Sequence, residues 1–186
     1  MTLWFFLLGL PLLAGGLASL AFTDLAAKAV VAFPRNKFAG RVLCAAAWFW
    51  AAYECDTIGV DVFDMILKRF PGEVWILALV LTVLTCLWME NLLPIRAVCG
   101  LFMLFPAELF PAVRLCETSW RTALVAFAYV CAVIGMVGMF YPWHIRRAIA
   151  WGAEKPVRLR AVGGVLLAIG LLFVILGVLT AAGKLV

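Results

Sequence analysis

The stretch 88-WMENLLPIRAVCG-100 places a glutamate, an asparagine, a proline and an arginine within seven residues, between two long apolar runs. It is either a polar site sunk in a membrane or the turn between two spanning helices. The choice fixes the topology of everything around it.

Composition narrows the choice. The chain is 67% hydrophobic and 13% charged, against about 25% charged in an average soluble domain. A water-soluble fold of 186 residues has no means of covering that much apolar surface. Apolar runs at 3–22, 40–58, 74–93, 95–113, 122–141 and 161–183 approach or reach the ~20 residues that cross a ~30 Å hydrocarbon core. No Lys or Arg precedes Lys28, and the first run is too long for a secretory h-region, so it reads as a transmembrane helix.

The fourth run is the weakest, because Pro106, Glu108 and Pro111 interrupt it. Charge placement decides whether it spans or re-enters. Loops at the cytoplasmic ends of spans are enriched in Lys and Arg. Loop 23–41 carries Lys28, Arg35, Lys37 and Arg41, and loop 142–160 carries Arg146, Arg147, Lys155, Arg158 and Arg160. Both loops are therefore expected in the cytoplasm, which needs an even number of crossings between them. Six spans satisfy this, with both termini outside, in a bacterial cytoplasmic membrane. The opening stretch then becomes a cytoplasmic turn, with Glu90 and Arg96 as a candidate ion pair at headgroup level.

The three cytoplasmic turns share a pattern. The segments 34-PRNKFAG-40, 94-PIRAVCG-100 and 156-PVRLRAVGG-164 each run from proline through basic residues to glycine. This spacing predicts an all-α integral membrane protein of three consecutive helical hairpins, about 1–58, 74–113 and 122–183, in a single membrane domain 1–186. Proline at the first helical turn and basic cytoplasmic flanks would produce the same pattern without repetition. Between the first two hairpins, Val60, Phe63, Ile66 or Leu67, and Phe70 recur at helical spacing, which predicts an outer amphipathic segment over 59–70. Segments 24–33 and 145–153 read as interfacial helices on an anionic leaflet, so bound lipid is expected.

Charged groups near the bilayer centre are costly and usually functional. The central stretches of the first, fifth and sixth runs carry none. Glu54 lies one turn from the outer end of the second run. Glu108 lies five residues from the outer end of the fourth, about 8 Å at 1.5 Å per residue. Prolines on both sides of Glu108 predict a broken helix, and broken helices line transport sites. Glu108 and Glu54 are thus the candidate transport or ion site. The plainer reading makes Glu108 an interfacial carboxylate beside Arg114 or Arg121.

Catalytic motifs are absent from the sequence. Ser19 and Ser119 lie in no G-x-S-x-G elbow, and His144 is the only histidine, short of a zinc or bis-histidine haem set. The six cysteines show no C-x-x-C spacing, so no cofactor or metal is identifiable and most read as small packing residues. Cys55 and Cys116 fall at outer helix ends and are the candidate disulfide in an oxidising compartment. Gly163, Gly170 and Gly177 recur every seven residues along the last run, a stripe that lets another helix approach closely. That helix belongs either to this chain or to another subunit.

Two functions follow as expectations. The first is a non-catalytic membrane subunit or assembly scaffold, packed against other membrane proteins or copies of itself and binding no nucleic acid. The second is a small transporter or channel using Glu108. A lipid-modifying enzyme using Glu54, Glu108 or the outer aspartates has the least support.

Overall fold

A computed structural model describes residues 2–58, 73–89, 92–114 and 120–182. Eight α-helices account for nearly all of them: α1 (Thr2–Ala21), α2 (Thr23–Ala32), α3 (Lys37–Ile58), α4 (Glu73–Trp88), α5 (Leu93–Arg114), α6 (Arg121–Phe140), α7 (Pro142–Glu154) and α8 (Pro156–Ala181). One 3₁₀ turn, Phe33–Arg35, joins α2 to α3. No strand occurs among the described residues. The amphipathic segment expected over 59–70 lies outside them, as do Glu90 and Cys116.

Four helices, α1, α5, α6 and α8, are long and apolar enough to cross a membrane. The longest, α8, has 26 residues, about 39 Å at 1.5 Å per residue. The other two expected spans are less clear-cut. α3 has the length, with 22 residues, but carries Lys37, Arg41, Glu54 and Asp56. α4 is apolar but has 16 residues, about 24 Å. This is a membrane protein by the length and apolarity of its helices.

The helix boundaries have local causes. Pro142 and Pro156 open α7 and α8 at positions where a missing N–H costs nothing. Tyr141 and Lys155 separate each from the helix before it. At the start of α5 the chain passes through Leu92 at φ 62°. A leucine there carries a strain of ~1–2 kcal/mol. The expected break in the fourth span does not occur. α5 runs as one helix from Leu93 to Arg114, through Pro106 and Pro111. Each proline removes one ladder bond, and the bonds on either side carry the helix across.

The chain divides into two compact units. The first comprises residues 1–32, 109–129 and 146–186, and its spine is an antiparallel pair of α1 and α8. Gly9 faces Gly170 and Val174, Gly16 faces Gly163 and Leu167, and Gly177 faces Phe5 and Phe6. A Cβ on Gly170 would sit 2.6 Å from the backbone nitrogen of Leu13. The helices therefore touch backbone to backbone. Past the glycines, Phe173 meets Phe5 with ring centroids 6.1 Å apart, and meets Phe127 edge-on at 5.2 Å. α2 is tied to α8 where Arg160 Nε donates to the Thr23 hydroxyl at 3.2 Å.

The second unit comprises residues 33–108 and 130–145. Here α3 packs antiparallel to α4. Its N-terminal turn meets α5, where Gly40 abuts Pro94. The opposite side of α5 receives α6, with Gly135 against the Cys99 carbonyl and Met103. The close pairs α1–α8 and α3–α4 join helices assigned above to different hairpins.

Candidate functional site

Apolar helices make a polar side chain in their seams conspicuous, and the second unit holds several. Glu54 is 7% exposed. One turn back on the same helix, the Trp50 indole N–H donates to Glu54 Oε1 at 3.0 Å. A carboxyl in an apolar seam needs such a donor, because an unsatisfied polar group in a water-poor interior costs several kcal/mol. Glu108 is half-buried in α5. The structure places each on its own helix and records no hydrogen bond joining them.

The second polar feature crosses between helices. The Trp48 indole N–H of α3 donates to Thr85 Oγ1 of α4 at 3.1 Å. The Thr85 hydroxyl proton is directed to the Leu81 carbonyl at 2.6 Å, so its lone pairs accept from Trp48. Cys86 packs beside Trp48 against a buried cluster of Cys44, Leu93 and Ala97. At the far end of the seam, Phe49 and Trp75 stack with centroids 6.2 Å apart. A Thr85→Val substitution keeps the shape and removes the acceptor. Its expected cost is ~0.6–1.7 kcal/mol, the range of interhelical hydrogen bonds in a bilayer. Steric-trap or denaturant unfolding would measure it, and an unchanged midpoint would argue against the bridge.

Around Arg96 the described residues include Met89 but not Glu90 or Asn91. Arg96 Nη1 donates to Met89 Sδ at 2.8 Å. Its buried Nε has no hydrogen-bond partner among the described residues. Glu90, the expected partner, lies outside them. Cys55 is half-buried near the end of α3, and its expected partner Cys116 is likewise outside. Gly163, Gly170 and Gly177 all face α1 of the same chain.

Sequence reading missed the Trp48–Thr85 bridge and the meeting of Cys44 with Cys86. It also missed the cluster at the start of α8. There Arg158 pairs with Glu154 at 3.1 Å, and its guanidinium lies 4.1 Å from the Trp151 ring centroid. The i, i+4 spacing of Glu154 and Arg158 was the available signal. No group of three or more His, Cys, Asp or Glu able to hold a metal occurs among the described residues. Comparison with known protein families, curated proteins and solved structures finds no match.

Proposed function

We propose that this chain is a non-catalytic polytopic subunit or assembly scaffold of a larger membrane complex. In this reading it crosses a bacterial cytoplasmic membrane six times, as three consecutive hairpins with both termini outside. Loops 23–41 and 142–160, which hold α2 and α7, then lie at the cytoplasmic face. The antiparallel register of α1 against α8 supports it, since an even number of crossings requires that register. On α7, exposed Trp143, Arg146, Arg147 and Trp151 suit anionic headgroups, and bound lipid belongs to this reading.

The observation that carries the subunit reading is the extent of uncovered apolar helix. Only 17% of the apolar window of α1 is buried within the chain. α4 exposes Ile76, Leu77, Leu79, Val83 and Leu87 at 45% or more. Faces of this kind are covered by acyl chains or by the helices of partner proteins. Extraction from native membranes in mild detergent, followed by native mass spectrometry, discriminates the two. Stoichiometric partner chains are expected, and a lone monomer or homo-oligomer would overturn the reading.

A second reading, a small transporter, draws on the buried Glu54 and on Glu108. An ionisable residue inside a membrane helix is a functional candidate by default. Reconstituted flux that survives both Glu54→Gln and Glu108→Gln would remove it.

A further inference from the structure

The corner where α7 turns into α8 is held by one arginine. Arg158 Nη1 donates to the Trp151 carbonyl and to Glu154 Oε2, each at 3.1 Å, and its guanidinium covers the Trp151 ring. It thereby satisfies a carbonyl that the end of α7 leaves open, and it matches the only carboxylate between Pro142 and Arg160. Four further cations stand around it. Arg146, Arg147, Lys155 and Arg160 are all exposed, and none of them pairs with a carboxylate among the described residues. Arg160 uses its Nε on the Thr23 hydroxyl, which leaves the outer nitrogens of its fork for another acceptor. Asp24, next to Thr23 in α2, is exposed and forms no ion pair with Arg160.

Chain connectivity decides what those cations face. One residue, Tyr141, joins α7 to α6, and one, Lys155, joins it to α8. α6 and α8 are each long and apolar enough to cross a membrane. The 13 residues of α7 reach about 20 Å, and a helix that short with two arginines inside it does not cross. With both neighbours spanning, α7 stays at the membrane face on which α6 ends and α8 begins. The exposed surface of the corner also has an apolar part, since Trp151 is 56% exposed and Val157, at the start of α8, is 74% exposed. A free anion in water gains nothing from an indole and a valine beside the arginines. A phospholipid offers a phosphate to the cations and, directly beneath it, glycerol and acyl carbons to the apolar groups.

We propose that Arg146, Arg147, Lys155 and Arg160 form a docking surface for anionic phospholipid headgroups, with Trp151 and Val157 set into the boundary below the phosphates. Attraction of a basic residue to an anionic leaflet is worth on the order of 1 kcal/mol, about fivefold in affinity. A zwitterionic lipid carries no net charge and gains little of this, so the surface selects by headgroup. Arg158 stays outside the selection, because Glu154 already matches its charge. The proposal names the class of the bound lipid in the reading above. It rests on α6 and α8 crossing the membrane and needs no partner chain.

The test titrates the full-length protein in mild detergent with phosphatidylglycerol or with phosphatidylcholine of identical acyl chains, and counts bound lipid by native mass spectrometry. Phosphatidylglycerol is expected to bind more tightly. Arg147→Gln lowers that preference about fivefold, and Arg146→Gln with Arg147→Gln lowers it roughly 25-fold. Lysine at both positions keeps the preference, since the attraction is to charge. Arg114→Gln, at the last residue of α5, keeps it too. All of these positions are exposed, so each variant retains the thermal midpoint of the parent and a loss of binding is not a loss of fold. Equal affinity of the parent for the two lipids overturns the proposal. A fall with Arg114→Gln as large as that with Arg147→Gln also overturns it, because net charge and not this corner would then select. Displacement of the lipid by inorganic phosphate overturns it in favour of a free anion. Partner chains found or missing on extraction leave these results unchanged, so this proposal and the subunit reading fail separately.

Discussion

Replacement of Gly170 by valine is expected to lower unfolding stability by ~3 kcal/mol, the upper end of over-packing costs. For a chain of this size that corresponds to a fall in Tm of roughly 6–12 °C. The effect is large because of what the new side chain would meet. A Cβ at Gly170 lies 2.6 Å from Leu13 nitrogen and 3.0 Å from the Gly9 carbonyl oxygen. Both are backbone atoms of α1, which have no rotamer to change. The axes of α1 and α8 must separate, and separation loses contacts at Gly16 and Phe173 as well. Gly164, on the same helix, has open space where its Cβ would be. Gly164→Val is therefore the control, expected within about 0.5 kcal/mol of the parent. Equal losses in the two variants would mean that helix composition, and not the seam, sets stability.

The second large effect concerns Glu54. Glu54→Leu is expected to cost ~1–3 kcal/mol, because the half-buried Trp50 N–H loses its acceptor in a water-poor seam. Glu54→Gln keeps an oxygen for that N–H and removes the option of a charge. Its expected stability is equal to or above that of the parent. Thermal unfolding in one detergent, run on all three proteins, measures both. A loss above ~2 kcal/mol in Glu54→Gln would show that the seam requires the carboxylate itself. That outcome would favour the ion-binding reading over a packing role.

Some of this was legible in the sequence because bilayer chemistry is coarse. A run of apolar residues near 20 long, bounded by Arg or Trp, leaves a helix as the only backbone solution. The edges of α1, α6 and α8 accordingly fall near those read from the runs. The segments 24–33 and 145–153, read as interfacial helices, fall on the helices α2 and α7. Proline misled at α5. Two prolines in a span predict a break when each is weighed alone, but a long helix loses only one bond at each. Glu54 was named as a candidate from its depth alone. Its partner Trp50 sits at i−4, a spacing visible in the sequence.

What could not be read was pairing. Gly163, Gly170 and Gly177 announce a close approach without saying to what. The complement, Gly9 and Gly16, has the same seven-residue spacing on α1, but helices one and six are the most distant runs in the chain. Cys44 and Cys86 are hidden for the same reason. Neither lies in a motif, and only the antiparallel register of α3 and α4 brings the thiols together. Trp48 looks like one more aromatic among many until Thr85 is found opposite it.

The clasp of α1 on α8 also orders the birth of the molecule. Gly9 and Gly170 are separated by nearly the whole chain, which a ribosome takes roughly 8–30 s to make at ~5–20 residues per second. Throughout that interval the glycine face of α1 stays open, since the helix that covers it is made about 160 residues later. A glycine face exposed to lipid is a ready contact for any passing small-residue helix. The protein is thus exposed to wrong partners until α8 is made, and the closing of α1 on α8 is the step that buries that face.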